Sequence, residues 1–316
     1  MPLKNLTLAF AAFLVAASIA QASKDSIVTS VYSKVSNGYT RKLAADGTPK
    51  IEYYAIAPGK YLQGLGGDKT IDSVEFPVIA GTVAQFLAKR NYHFAENAKS
   101  ADLLLMITWG TTKPQSNGTY RLGVDNLTAR INSSAIATAA AQGSGRSMDG
   151  IGSPESAIAD AARGELESAL LQMQMFETMR MRANEENARL LGYVEEINDR
   201  DNASRFAGGG TYYNDLISDI ENERYFVIIA AFDFKAIARD KKERLLWATR
   251  VSIQKQGSQF DKDLATMLAQ ASRYFGKDSG RLIRQYQEGT VTLGEMEVVG
   301  VVPDSAVTRG EKSSNE

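Results

Sequence analysis

Two runs in this chain are apolar on both parities, and they constrain the fold more than any other feature. In 103–109, LLLMITW, Leu103, Leu105, Ile107 and Trp109 share one parity, and Leu104, Met106 and Thr108 the other. In 225–234, Phe226, Ile228, Ala230, Phe232 and Phe234 alternate with Tyr225, Val227, Ile229 and Ala231. Successive strand residues point to opposite faces, so a strand apolar on both faces belongs inside a sheet that is covered on both sides. The other patterns are read around these two interior strands.

IVTSVYSKV (27–35) and KIEYYAIAPG (50–59) read as strands joined through an Asp46–Gly47 turn, the second returning from the first and stopped by Pro58 and Gly59. In 245–254, Trp247, Val251 and Ile253 lie on one face, and Arg250, Ser252 and Gln254 on the other. That pattern predicts a half-buried strand near the sheet edge, reached from the preceding strand by a chain reversal at RDKKE. Ile79, Val83, Phe86 and Leu87 form a helical stripe with Pro77 in its first turn, and Phe260, Leu264, Met267, Leu268 and Ala271 form another. A last strand is expected over 289–302, ended by Pro303, and 303–316 reads as a disordered polar tail.

The middle of the chain is of a different kind. Residues 113–152 are rich in Gly, Ser, Asn and Ala and read as a flexible segment with at most a weak helix at Ala135–Ala141. A long helical insertion over 153–200 follows, with Ser153 as N-cap, Pro154 at the first helical position and Glu155 at the positive end of the dipole. Its stripe of Ile158, Ala162, Leu166, Ala169, Met173 and Phe176 weakens after Arg180 and resumes at Leu190, so one helix or two broken near Asn184–Asn187 both fit. A short helix capped by Thr211 comes next.

The amino terminus reads as a secretory signal peptide over 1–22. Lys4 precedes an apolar run from Leu6 to Ala20, and small residues at Ala20 and Ala22 place cleavage between Ala22 and Ser23. The run is short for a transmembrane anchor, so the mature chain is expected to be exported, to periplasm or medium, with no anchor after signal removal. There is no cysteine, which closes disulfides, thiolate catalysis and cysteine-held metals. Thirty-six basic against 37 acidic residues leaves no basic field for nucleic acid.

Candidate chemistry is sparse. His93 is the single histidine and has no GxSxG elbow to serve. GLGGDKT (64–70) sits between a strand and a helix, but Asp68 precedes Lys69 where a phosphate loop needs glycine. NDRDNAS (198–204) lacks the glycine and glutamate of a calcium loop. Asp102 and Asp233, at strand ends, are the carboxylates that a glycoside hydrolase would use. Their plainer roles are capping for Asp102 and pairing with Arg250 or a connector lysine for Asp233. Met173, Met175, Met179 and Met181 cluster on the long helix, as core filling or as an adaptable partner surface. Trp109 and Trp247 read as core anchors. No catalytic, cofactor-binding or metal-binding residue is assigned, and no cofactor.

The helix end and strand AKRNYHFAENAKSADLLLMITWG (88–110), followed later by a strand ending in Asp and by LLWATR (245–250), resemble the small α/β domains of exported bacterial proteins. They are similar to the amino-terminal domain of TolB and to the curli-secretion lipoprotein type. The resemblance spans 75–112 and 222–276. It implies an envelope-associated binding or assembly module and carries over no catalytic residue. This chain departs from those proteins in lacking a lipidation cysteine and in its long helical insertion.

Taken together, the expected fold is α+β: one domain over 23–302, with a mixed, largely antiparallel sheet of about five or six strands covered by helices. The expected function is an exported, non-enzymatic binding or assembly module of the bacterial envelope. It would meet a protein partner, or itself, through the long helix. The alternative is a carboxylate-dependent hydrolase acting on envelope or extracellular glycans.

Overall fold

The computed structural model describes residues 27–115, 117–143, 154–198 and 210–287. The signal peptide, the Ser153 cap, most of NDRDNAS, the strand expected over 289–302 and the polar tail lie outside the described residues. The strands are β1 (Ile27–Val35), β2 (Glu52–Leu62), β3 (Tyr92–Phe94), β4 (Leu103–Thr111), β5 (Arg224–Asp233), β6 (Leu245–Gln254) and β7 (Ile283–Gln287). The helices are α1 (Lys69–Asp72), α2 (Phe76–Ala88), α3 (Asn117–Gly143), α4 (Pro154–Leu191), α5 (194–198), α6 (Thr211–Glu221), α7 (Phe234–Asp240) and α8 (Phe260–Ala271). The fold is α+β, as expected, on one seven-stranded sheet in the order β3-β2-β4-β5-β6-β1-β7. β3, β2 and β4 run parallel, and every later junction is antiparallel.

β1 and β2 do not form a hairpin. The Asp46–Gly47 turn is present, closed by Ala44 N–H donating to Thr48 O at 2.7 Å, but it caps a small loop. Side-chain chemistry sends the two strands to opposite halves of the sheet. β1 carries hydroxyls that match those of β6, and Ser33 Oγ lies 2.7 Å from Thr249 Oγ1. The apolar β2 instead joins β4 in parallel, with α1 and α2 as the crossover that parallel neighbours require. β2 also runs past Pro58 to Leu62, with a register shift between Pro58 and Tyr61.

α1, α2 and α8 cover one face. Ile79, Leu87, Leu105, Ile107, Val227, Trp247 and Met267 are fully buried there. The Trp247 ring stacks on Phe275 at 5.9 Å between centroids. Asp263 caps the start of α8 by accepting from Gln259 N–H at 2.8 Å. On the opposite face a smaller core joins Tyr32 and Phe226 to Leu191, Tyr193, Leu216 and Ile220, from the end of α4 and from α6.

Three further expectations are corrected. β6 is interior, flanked by β5 and β1: of the polar row that pointed to an edge, Ser252 is buried and accepts from Arg224 Nε, Arg250 is half-buried between Ile228 and Tyr32, and only Gln254 at the strand end is exposed. The reversal after β5 begins as a helix, α7, capped by Asp233 Oδ1, which accepts from Ala236 N–H at 3.0 Å. Residues 117–143 form a helix rather than a flexible segment, because α4 supplies the apolar surface that their own composition lacks. α4 itself runs unbroken past Asn184–Asn187 to Leu191 and stops at Gly192, whose φ of +82° favours glycine.

Candidate docking surfaces

α3 and α4 form an antiparallel hairpin that meets the rest of the molecule at its base. On α4, Ala162, Leu166, Ala169, Met173 and Phe176 recur every three or four residues on the side turned to α3. On α3 the matching row is Gly123, Leu127, Arg130, Ser134 and Ala137. This is the spacing of a two-stranded coiled-coil seam, with small residues that let the helices approach closely. A Cβ added to Gly123 would lie 2.9 Å from the Phe176 ring. Arg130 pairs with Glu165, and the Arg180 guanidinium lies 4.8 Å over the Tyr120 ring.

Two helices bury a single seam, so the remaining apolar residues face outward. Leu122 and Ile136 on α3, and Leu170, Leu171, Met175, Met179 and Met181 on α4, are exposed. Of the four clustered methionines only Met173 turns inward. A shallow groove of about 410 Å³ runs along Leu170, Gln174, Glu177 and Met181.

A buried ionic clamp, missed in the sequence, fixes the base of the hairpin. Arg224 is 1% exposed. Its Nη1 donates to Asp219 Oδ1 at 2.8 Å, Nε to Ser252 Oγ at 3.1 Å and Nη2 to Ser30 Oγ at 3.2 Å. Tyr193 Oη donates to Asp219 Oδ2 at 2.9 Å, and burial pushes that phenol up to about 12. Asn187 of α4 donates to Ile220 O at 3.0 Å, and Arg180 pairs with Glu221 at 2.8 Å. The only cue in the sequence was a charged residue opening an apolar run, ERYFVII.

The smaller core covers only part of its face. Ala55, Ala57, Leu104, Met106, Ala230 and Phe232 share that face, are only half-buried and belong to neither core cluster. In the next row of the ladder, Arg250 lies between Ile228 and Tyr32. Its Nε is buried without a hydrogen-bond partner, and burial lowers its pKa. The nearest acid, Glu195, is already engaged by Lys34 and by Tyr32 Oη at 2.6 Å.

The residues singled out in the sequence come together only in part. β-ladder pairing sets His93 beside Tyr53, and Tyr53 N–H donates to Asp102 Oδ2 at 3.2 Å. Phe234 N–H, the residue after Asp233, donates to the Asp102 carbonyl at 3.0 Å. Asp102 also pairs with Lys235 at 2.8 Å, while Asp233 serves as the α7 cap. Both acids thus hold structural partners on an exposed sheet end. In the glycine loop, Asp68 caps α1, accepting from Thr70 N–H at 3.0 Å, and takes a hydrogen bond from Tyr225 Oη. Lys255 lies 3.5 Å from Asp68 and 3.3 Å from Glu223, beside a cleft of about 490 Å³ lined by Leu65, Pro114 and Gln254. Trp109 stacks between Tyr61 and Phe76 as a core anchor. Among the described residues no cluster of histidine and carboxylate side chains is arranged to hold a metal ion, and no helix is long and apolar enough to cross a membrane.

No protein-family model matches this chain, and no curated protein matches it.

Proposed function

We propose that this chain is an exported binding or assembly module of the bacterial envelope, which works by docking through the α3–α4 hairpin rather than by catalysis. The carrying observation is the outward stripe of Leu171, Met175 and Met179 on a helix whose opposite side is already packed. A helix apolar on two sides has a second surface to bury, and a stripe of i, i+4 anchors is how helices engage partner surfaces. Methionine suits such a surface because its unbranched side chain repacks against varied shapes. The clamp at the base holds the hairpin at a fixed angle, so less conformational freedom is lost on docking.

Export rests on the amino-terminal pattern. It predicts a mature protein beginning at Ser23, read by terminal sequencing of the chain from its native source. Docking is tested by placing photo-crosslinking residues at Leu171 and Met179, with Lys60 on β2 as a control, in cells that make the protein. Adducts are expected from the two helix positions well above the control. Equal yields from all three sites would end the docking reading.

A further inference from the structure

We propose that the surface docked by the hairpin is the open half-sheet of a second copy of this chain, with Glu167 of one copy set against Arg250 of the next. The inference rests on the docking reading and adds the identity of the partner. Three observations carry it.

The first is that the chain owns two unpartnered apolar surfaces of matching form. One is a helical ridge, Leu171–Met175–Met179. The other is a sheet face, Ala57, Leu104, Met106 and Ala230, which is half-buried and belongs to neither core cluster. Helix against sheet face is the packing by which sheets are ordinarily buried. Leu104 to Thr108 spans about 13 Å along β4 at the rise of a strand. Glu167 to Met179 spans about 18 Å along α4 at the rise of a helix, so the two surfaces are of similar extent.

The second is charge. Arg250 sits at the margin of this face, partly desolvated, and among the described residues its Nε has no hydrogen-bond partner; the acid that acts on it, Glu195, is bonded to Lys34 and Tyr32. A charge held out of water in that way is costly until a counter-charge reaches it. Nearby, Lys34 is paired with Glu195 and Lys235 with Asp102. Arg250 is thus left facing this surface with no ion pair of its own among the described residues. The distal half of α4 is acidic, with Glu155, Asp160, Glu165 and Glu167 against Arg163. Asp160 and Glu165 are paired within the hairpin, whereas Glu167 is exposed one helical turn before Leu171.

The third is reach. Glu167 lies about 36 Å along a continuous helix from Leu191, which is anchored in the core beside Tyr32. The helix cannot fold back onto its own sheet, so the contact is between copies. It joins two different surfaces, head to tail, and such contacts close into rings or run on as filaments.

The test uses the full mature chain, measured by sedimentation velocity and light scattering over a range of protomer concentrations at low and moderate salt. Association that rises with concentration and weakens with salt is expected. Arg250→Glu and Glu167→Arg should each weaken it at least about tenfold, and the double reversal should restore most of the loss. Glu167 is exposed on a helix, so its variant keeps the fold. Near-ultraviolet circular dichroism from the buried Trp247 confirms the same for Arg250→Glu. A chain that is monomeric at every concentration overturns the proposal. So does an oligomer indifferent to both reversals, which would mean symmetric helix pairing. Photo-adducts from Leu171 to a different protein, with a monomeric isolated chain, would overturn self-docking and leave the docking function standing.

Discussion

Arg224 is the residue on which the second face depends. It brings a full charge to a site that is 1% exposed, and the fold surrounds it with Asp219, Ser30, Ser252 and the Ser252 carbonyl. Removing one member of a buried ion pair strands the other without its water, at a cost of about 3–5 kcal/mol. Arg284 Nε stands 3.4 Å from Asp219 and offsets part of that loss. Arg224→Met should therefore cost about 3 kcal/mol in urea unfolding at neutral pH, and Asp219→Leu in the same background should recover part of it. Asp68 makes a pH-dependent case. Burial raises its carboxyl, but hydrogen bonds from Tyr225 and Thr70 outweigh that and hold it below the usual carboxylate range. A carboxyl depressed in the folded state contributes stability above its unfolded pKa and loses it as pH falls through the folded one. Asp68→Ala should thus lower stability near neutrality by about 1 kcal/mol, the cost of a helix cap, and flatten the acid limb of the stability curve below about pH 4.

At the scale of elements, two glycines decide where helices go. Gly192 ends α4 with φ +82°, and a Cβ there would clash with the Tyr32 ring. Gly192→Ala meets both the left-handed backbone and the clash, so it should cost more than the roughly 1 kcal/mol of a left-handed alanine alone. The measurement is thermal unfolding beside Gly143→Ala, where no atom lies within 4 Å of the new Cβ. Gly123 sets the hairpin spacing against Phe176. Gly123→Leu should raise hydrogen exchange along α3 and the distal part of α4 while exchange in β4 and β5 stays unchanged, because the hairpin seam shares no apolar side chain with either core.

At the scale of the whole molecule, the sheet and its two cores stand apart from the distal hairpin. Replacing residues 124–175 with a short glycine–serine turn keeps Asn187, Leu191 and Tyr193 in place. That variant should melt within a few degrees of the full chain, since neither core loses a member. A collapse in Tm would show that the hairpin props up the sheet and is not an appendage to it.

The period-2 runs of β4 and β5 and the stripes of α2, α4 and α8 were all legible in the sequence, because each reports which faces a segment must bury, but whether α4 was one helix or two was not. α3 was not legible. Its glycines, serines and alanines are poor in apolar area alone and become a helix seam only against α4. The neighbours of β1 and β2, the interior place of β6 and the clamp around Arg224 were equally hidden, because a strand pattern names no partner and a lone arginine names no counter-ion. Local periodicity acts through the chain's own geometry and is written in sequence order. Which buried hydroxyl meets which depends on residues about two hundred positions apart, as for Ser33 with Thr249 and Ser30 with Arg224, and even Arg224 and Asp219, close in sequence, become a buried pair only when the folded chain brings the sheet and α6 together around them.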